Sequence, residues 1–486
     1  MRICLVAEGC YPYVVGGVSS WVQSLIESFP NVEFVILAIV SNRSIRGKFV
    51  YELPINVTEV HELYLEDLDW HIGGKKGKRK ARLKKKDYDE LRKLILNQDV
   101  DWGVLFRMFQ SKSLSIDDLL MGADFMKAAT DFYKLKYKDI VYADFLWTLR
   151  SIYLPLCFTM KMKIPRADLY HCVATGYAGV LGSMAKSLYG SKMLISEHGI
   201  YTREREEELI KAKWVSGIYK DIWIEQFKKM ATLAYSEADQ ITCLYENARE
   251  LQIEFGASPS KIIVTPNGID IERLSDLPRK SIADDNYINI GAILRITPIK
   301  DVKTMIRAFG YAKEQDPRIK LWIMGPLDED EKYAKECFEM VELLNIRDII
   351  FTGKVDIREY LGKMDITILT SISEGQPLTI LESFAAKIPV IATDVGNCRG
   401  LLYGESDDFG DAGILAHIMN VEEITNAMVK LANNPKLRIE MGENGYQRVI
   451  SKYRIEDMKS VYRNIYKDMA ESIGKTWSEK EFTPSR

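Results

Sequence analysis

Short apolar runs alternate along this chain with segments of helical periodicity, and this alternation limits more than any other feature what the chain can fold into. Such alternation is typical of parallel sheets whose faces are covered by helices. The runs form two series, separated by a polar stretch at residues 271–286 that has no clear apolar period. The sequence therefore predicts an α/β protein with two parallel sheets and a linker in that stretch.

The predicted strands of the first series are 2–7, 33–40, 169–174, 192–197, 239–244 and 261–265. Those of the second are 287–293, 319–325, 348–353, 365–370, 389–393 and 413–416. Helical patterns follow near 421–432, 436–452 and 455–473, and the tail 474–486 is expected to be frayed. These limits predict domains at 1–275 and 286–452, followed by a helix at 455–473.

A long insertion at residues 51–153 separates the second predicted strand from the third. It is far longer than a strand–helix connection needs, and its aromatic content predicts a largely helical, partly packed segment. It contains nine cations in twelve residues, from Lys75 to Lys86. One interpretation is a solvated loop or helix start. The other is a contact with an anionic membrane or an acidic partner, worth about 1 kcal/mol per cation at best.

The bulk composition excludes several classes of protein. A net charge of −3 provides no general attraction to nucleic acid, and no recognition motif accompanies the basic run. The seven cysteines are scattered without a C-x-x-C pair, which predicts reduced thiols in the core. No signal-peptide pattern and no apolar run of about 18 residues occurs, so we expect a cytoplasmic protein.

Two glutamates eight residues apart, Glu374 and Glu382, mark the most informative functional segment. A predicted strand ends just before Glu374, and Pro377 suits an early helical position. Free backbone N–H groups and the positive end of a helix dipole would then meet at the carboxyl edge of the sheet, where phosphate binds. The alternative is an ordinary loop glutamate and an ordinary helix-surface glutamate.

Three further segments carry residues suited to the same chemistry. Gly16 and Gly17 follow the first strand and allow a phosphate to approach a helix N-terminus, although such a pair is often only a turn. Arg295 and Lys300 follow the first strand of the second series and can neutralise a diphosphate, or form surface ion pairs. His198 ends a strand at the predicted ligand edge, with a structural histidine as the alternative.

No metal-ligand pattern such as H-E-x-x-H occurs, so no metal is predicted. Asp67 and Asp69 match the D-x-D of metal-dependent sugar transferases, but they lie among acidic residues and we interpret the match as chance. Neither domain has G-x-G-x-x-G after its first strand, which argues against a nicotinamide oxidoreductase.

Taken in order along the chain, these motifs resemble the retaining GT-B glycosyltransferases of family 4. The resemblance covers both halves: the Gly16-Gly17 loop, His198-Gly199, Pro266-Asn267-Gly268-Ile269-Asp270, the Arg295 and Lys300 pair, and the segment from Glu374 to Glu382. It implies two Rossmann-like α/β/α domains facing a cleft. Residues 1–275 would bind the acceptor, 286–452 the nucleotide sugar, and the helix 455–473 would cross back to the first domain.

The family also implies roles for the site residues. Glu382 would bind the ribose hydroxyls, and Arg295 and Lys300 the diphosphate. Glu374 would contact the sugar, and His198 joins Glu374, Arg295 and Lys300 as a catalytic candidate. The remaining donor-binding candidates supply backbone donors: Gly16, Gly17, Gly375, Gln376, Pro377, Leu378 and Thr379.

Within that family, residues 7–22 and 373–378 look like the cytoplasmic enzymes of Pel exopolysaccharide synthesis. This likeness implies a UDP-sugar donor, UDP-glucose in particular, a growing polysaccharide acceptor, no additional cofactor and an inner-membrane complex as partner. A lipid-linked or small-molecule glycosyltransferase and a non-catalytic nucleotide-sugar sensor stay open as alternatives. A front-face mechanism and a double displacement through Glu374 also stay open.

Overall fold

The computed structural model describes residues 1–65, 82–212, 214–215, 217–274, 276–281, 286–480 and 482. Asp67, Asp69 and the first part of the basic run, from Lys75 to Ala81, lie outside the described residues. The chain divides into two compact units. The first unit comprises Met1–Val264 and Tyr462–Arg486, and the second comprises Thr265–Val461.

The first unit is built on a seven-stranded parallel sheet. Its strands are β1 (Arg2–Glu8), β2 (Glu33–Val40), β3 (Val57–Tyr64), β4 (Leu169–Cys172), β5 (Lys192–Ser196), β6 (Gln240–Cys243) and β7 (Ile262–Val264). They lie in the order β3-β2-β1-β4-β5-β6-β7. The strand order therefore reverses between β1 and β4, the position at which open α/β sheets bind ligands beyond their carboxyl ends.

Strand β3 corrects the start of the predicted insertion, which was placed at residue 51, whereas helices follow from Lys85 onward as predicted. Residues of β3 pair in parallel with β2 along the edge of the sheet. The charged side chains of Glu59 and Glu62 obscured the strand pattern, yet an edge strand tolerates charge because one side remains solvated. Arg2 on β1 donates to Glu33 and to Glu59, so charge pairs follow this edge.

Ten α-helices accompany this sheet in the described part of Met1–Val264. They are α1 (Gly17–Ser28), α2 (Lys85–Ile95), α3 (Trp102–Gln110), α4 (Ile116–Leu120), α5 (Ala123–Lys136), α6 (Tyr142–Lys161), α7 (Tyr177–Tyr189), α8 (Tyr201–Lys211), α9 (Ile218–Glu237) and α10 (Glu246–Glu254). Helices α2 to α6 form the inserted region. Their buried aromatic residues, including Phe106, Phe109 and Phe125, belong to the same hydrophobic core as the sheet.

The second unit contains a six-stranded parallel sheet in the doubly wound order β10-β9-β8-β11-β12-β13. Its strands are β8 (Ile288–Ile293), β9 (Ile319–Met324), β10 (Ile349–Gly353), β11 (Ile366–Leu369), β12 (Val390–Thr393) and β13 (Gly413–Ala416). Its helices are α11 (Val302–Gln315), α12 (Glu331–Leu343), α13 (Leu378–Ala385), α14 (Cys398–Tyr403), α15 (Val421–Asn433) and α16 (Pro435–Lys452). Every strand predicted for the second series is present, because buried parallel strands give near-continuous apolar runs.

The second unit begins at Thr265, inside the range predicted for the first domain. Residues Ile269 and Arg454 form a β-bridge, and Ile269 and Leu274 belong to a hydrophobic cluster of the second unit. The described residues of the predicted linker therefore lie in the second unit. They look like a linker in the sequence because they are polar, although the few apolar side chains among them are packed.

The last helix of the described residues is α17 (Ile455–Ser472), whose residues from Tyr462 onward belong to the first unit. The predicted fraying of the tail is wrong for its described residues. The Trp477 ring packs edge-on against Phe29 at 6.5 Å between centroids. Asn31 Nδ2 donates to the Ser478 carbonyl (2.6 Å), and Phe482 N donates to the Pro30 carbonyl (2.7 Å). These contacts hold the tail against the connection between α1 and β2.

All seven cysteines carry free thiols, and all except Cys10 are buried. Across the described residues, no helix has the length and apolar character needed to cross a membrane.

Candidate active site

The loop between β11 and α13 carries the segment singled out in the sequence. Helix α13 starts at Leu378, after Pro377 as its N-cap residue, and ends at Ala385. The helix does not continue past this point, since Lys387, two residues beyond its end, has a positive φ of 59°. The loop between β11 and α13 places the N-terminus of α13 at the carboxyl edge of the second sheet, as predicted.

The carbonyl groups of this loop are turned inward. The Gly375 carbonyl accepts from Asn397 N (2.8 Å), and the Gln376 carbonyl accepts from Asn267 Nδ2 (3.3 Å). Gly396 makes the close packing possible, because a Cβ there would lie 2.2 Å from the Glu374 carbonyl oxygen and its φ is 53°.

The amide groups of the same loop remain available. In the described structure, the N–H groups of Gly375, Leu378 and Thr379 have no hydrogen-bond acceptor. With the carbonyls held inward and the positive end of the α13 dipole nearby, the loop is prepared to bind an anion.

Glu374 and Lys300 meet at this loop. The Lys300 ammonium forms an ion pair with the Glu374 carboxylate, which also accepts from Ser371 Oγ (2.6 Å). The two side chains are only 16% and 12% exposed. Thr370 Oγ1 donates to the Lys300 carbonyl (3.0 Å), which ties the loop after β8 to the end of β11. The fold thus brings together two candidates that lie 74 residues apart in the chain.

Arg295 has a different partner. Its guanidinium forms an ion pair with Glu329, and each side chain is 35% exposed. An exposed pair of this kind contributes little to stability and exchanges readily with another anion. Arg295 and Lys300 share one loop, but the structure pairs them with different carboxylates.

Glu382 lies one turn inside α13 and is partly buried. Burial raises the pKa of Glu382 to about 7, and the charge of Arg273 opposes part of this shift. Among the described residues, no side chain donates a hydrogen bond to its carboxylate. A partly buried carboxylate with accessible oxygens and no side-chain donor can accept hydrogen bonds from the hydroxyl groups of a ligand.

His198 directly follows Glu197 at the end of β5 in the first unit. Its ring packs against Trp21 of α1 at 4.3 Å between centroids. Its Nε2 is buried and has no hydrogen-bond partner within the described residues. Burial lowers the pKa of His198 to about 4, so the imidazole is neutral at pH 7.

Gly16 and Gly17 lie at the start of α1 in the same unit. Gly17 is the first helical residue, and the space that a Cβ would occupy at Gly16 is open. The loop is therefore accessible to a ligand. Trp21, one turn along α1, connects this loop to His198 by ring packing.

A buried polar network near His198 was not predicted. His171 Nε2 lies 2.7 Å from Ser196 Oγ, and His171 Nδ1 lies 2.7 Å from the Tyr466 hydroxyl. Thr242 Oγ1 and Ser196 Oγ also bond the Tyr462 hydroxyl, at 2.9 and 3.0 Å. The network joins β4, β5 and β6 to α17 across up to 295 residues of sequence, so no local pattern could indicate it.

In the part of the chain that the structure describes, no group of three or more His, Cys, Asp or Glu side chains could hold a metal ion. The D-x-D pair at Asp67 and Asp69 lies outside that part.

Solved structures share this architecture. HepE from Anabaena, crystallised with UDP and glucose, matches 96% of this chain and 99% of its own with a TM-score of 0.59 at 13% identity. Sucrose-phosphate synthase from Thermosynechococcus elongatus matches 97% of this chain and 99% of its own with a TM-score of 0.61 at 14% identity. Together with the two Rossmann-like units, these likenesses show the GT-B fold.

Sequence relatives have named activities. The UDP-Gal:alpha-D-GlcNAc-diphosphoundecaprenol alpha-1,3-galactosyltransferase of Escherichia coli is 26% identical over 321 residues, covering 63% of this chain and 77% of that protein. The MMP alpha-(1->4)-mannosyltransferase of Mycolicibacterium hassiacum is 24% identical over 292 residues, covering 58% of this chain and 66% of that protein. The sequence model of glycosyl transferases group 1 matches residues 275–448.

The protein is therefore a glycosyltransferase with the GT-B fold. A second sequence model, described as a domain of unknown function (DUF3492), matches residues 1–260, and the chain belongs to that family.

Proposed function

We propose that this chain is a retaining glycosyltransferase of the PelF type, which transfers a hexosyl group from a UDP-sugar to a growing exopolysaccharide. The observation that carries the proposal is the β11–α13 loop. Its carbonyls are held inward, its amides are available, and Glu374 with Lys300 and Glu382 flank it. The assignment to the PelF type rests on the resemblance of residues 7–22 and 373–378.

The donor is held by groups suited to a nucleoside diphosphate. The amides of Gly375, Leu378 and Thr379 bind phosphate oxygens at the α13 N-terminus. Glu382 accepts hydrogen bonds from the two ribose hydroxyls. A UDP-sugar is the proposed donor because the Escherichia coli relative uses UDP-Gal. UDP-glucose is the first UDP-sugar to test.

Transfer of the sugar requires stabilisation of a departing diphosphate and of positive charge on the sugar. Lys300 supplies a buried cation beside the phosphate loop, and Arg295 adds a second once it leaves Glu329. The Glu374 carboxylate faces the developing positive charge on the sugar. In a front-face reaction the leaving phosphate takes the proton of the acceptor hydroxyl. In a double displacement Glu374 forms a glycosyl ester, which the acceptor then displaces.

The first unit contributes neutral groups. The neutral His198 imidazole can hydrogen-bond a sugar hydroxyl without attracting a counter-ion. The open Gly16-Gly17 loop accommodates a phosphate or sugar at the start of α1.

We also propose that the enzyme works in the cytoplasm, at the inner face of the membrane, beside a membrane-embedded synthase complex. The described end of the basic run supports a peripheral contact, because Arg82, Lys84, Lys85 and Lys86 are exposed. Co-sedimentation with phosphatidylserine-containing vesicles tests it: replacing Lys84, Lys85 and Lys86 by Gln should release the protein. Unchanged sedimentation would contradict this contact and leave the donor site unaffected.

A lipid-linked acceptor is the second candidate, favoured by the diphosphoundecaprenol substrate of the Escherichia coli relative. Product analysis after transfer from radiolabelled UDP-glucose separates the two. A polysaccharide product is water-soluble and long, whereas a lipid-linked product extracts into organic solvent.

Isothermal titration with UDP, UDP-glucose, UDP-GlcNAc, GDP-mannose and ADP-glucose, with and without magnesium, tests the donor. We expect metal-independent binding of the UDP ligands, weakened in Glu382→Ala and Arg295→Ala. A protein that binds no nucleotide, or that prefers GDP or ADP ligands, would disprove the assigned donor.

A further inference from the structure

Asn267 holds the phosphate loop through two hydrogen bonds to one residue. Its backbone N–H donates to Gln376 Oε1 (2.7 Å), and its side-chain Nδ2 donates to the Gln376 carbonyl (3.3 Å). Both residues are 5% exposed. Asn267 and Gln376 both belong to the second unit but lie 109 positions apart in the chain.

The segment that carries Asn267 is itself fixed. Ile269 N donates to the Tyr453 carbonyl (3.0 Å), and Ile455 N donates to the Ile269 carbonyl (3.1 Å). A Cβ at Gly268 would lie 2.5 Å from the Ile455 Cα, so the backbones touch there. Asn267 is therefore presented to Gln376 from a rigid support.

The carbonyl that Asn267 holds is the one with the greatest consequence for an anion. It belongs to the peptide that joins Gln376 to Pro377, and proline has no N–H to offer in exchange. If this peptide rotated, it would present a partial negative charge to the position where the neighbouring amides bind phosphate. A carbonyl there would oppose the dipole of α13.

We propose that Asn267 is a positioning residue for the donor diphosphate: by holding the Gln376 carbonyl inward, it keeps the phosphate side of the loop free of acceptors. This inference rests on the proposed function, because it assumes that the loop binds the phosphates of a UDP-sugar. Asn267 acts through Gln376 and does not touch the ligand.

Titration of the full-length Asn267→Ala variant with UDP and with uridine tests the inference. Uridine retains the base and the ribose but lacks the phosphates. The substitution should weaken UDP binding about tenfold to a hundredfold, the effect of one hydrogen bond to a charged group, and should leave uridine binding unchanged. Asn267→Asp, which has nearly the same shape, removes the donor and should show the same selective loss.

Asn289→Ala provides a matched control. Asn289 is also buried in the second unit, where its side chain donates to the Lys363 carbonyl (3.0 Å) and accepts from Trp322 Nε1 (3.1 Å). This variant should lose a similar amount of thermal stability without any change in the ratio of UDP to uridine affinity.

Two results would overturn the inference. Equal losses of affinity for UDP and for uridine would mean that Asn267 is only structural. Unchanged UDP binding in both folded Asn267 variants would mean that the hydrogen bond from Asn267 to the Gln376 carbonyl does not affect phosphate binding. A wild-type protein that does not bind UDP would instead overturn the proposed function on which the inference depends.

Discussion

The two units prepare their candidate ligand edges in opposite ways. In the second unit, charge dominates: Lys300 pairs with Glu374, Arg295 pairs with Glu329, and free amides surround a helix N-terminus. In the first unit, the corresponding edge carries a neutral histidine packed on Trp21. The second unit is thus suited to recognise a charged leaving group, and the first unit to recognise uncharged hydroxyls. Ligand binding by the second unit should be sensitive to the loss of single charges, and ligand binding by the first unit to changes in packing.

The largest test of this contrast is Lys300→Met. The substitution removes the buried cation and leaves Glu374 without its ion-pair partner, so kcat for UDP release from UDP-glucose should fall about 10²- to 10³-fold. Lys303→Met, which removes the partly exposed ion pair between Lys303 on α11 and Glu336 on α12, is the control and should have little effect on kcat. If kcat falls by less than about threefold in Lys300→Met, charge is not the defining feature of this edge.

The second test concerns Glu382. Because burial raises the pKa of Glu382 to about 7, the carboxylate form that accepts ribose hydroxyls develops as the pH rises through 7. UDP binding, measured by titration from pH 5.5 to 8.5, should therefore strengthen with pH. Glu382→Gln should weaken it about tenfold at pH 8 and flatten the profile. A pH profile that persists in Glu382→Gln would assign it to another group.

Stability provides a test of the same residue without ligand. With a folded pKa above its unfolded value, Glu382 favours folding when protonated and opposes it once ionised. Glu382→Gln should therefore raise the melting temperature of the ligand-free protein at pH 8 by more than it does at pH 5. An equal shift at both values would mean that ionisation of Glu382 carries no energetic cost.

The third test addresses packing in the first unit. Tyr466→Phe removes the hydroxyl that bonds His171 Nδ1 and should lower the free energy of unfolding by about 1–2 kcal/mol. Tyr453→Phe is the control, since among the described residues the hydroxyl of this buried tyrosine makes no hydrogen bond. Urea titrations of both variants measure the difference, and equal losses would mean that the network contributes nothing.

The smallest expected effect concerns the NMR signals of two histidines, which should not shift with pH. Burial lowers the pKa of His171 to about 3 and that of His198 to about 4, so both rings should stay neutral from pH 6 to 8 in histidine-selective NMR spectra. Trp21→Ala should expose His198 and raise its pKa towards the usual value. A wild-type His198 that titrates near pH 6.5 would contradict the neutral character of this edge.

Most strands could be predicted from the sequence because buried parallel strands have continuous apolar runs. Strand β3 could not be predicted in this way, since its edge position permits Glu59 and Glu62 within it. In the candidate site, the residue types at positions 374 and 300 indicated the chemistry, but their pairing did not follow from local spacing. The same holds for Asn267 and Gln376, whose contact depends on the path of the chain after β7.

The division of the chain also constrains how the protein can be made. The first unit needs Tyr462 and Tyr466, which are translated only after the whole of Thr265–Val461. During synthesis, all residues of the second unit are translated before the first unit is complete. His171, Ser196 and Thr242 cannot form their hydrogen bonds to Tyr462 and Tyr466 until these last residues have left the ribosome. A premature stop near the C-terminus would therefore damage the half of the enzyme that was synthesised earliest.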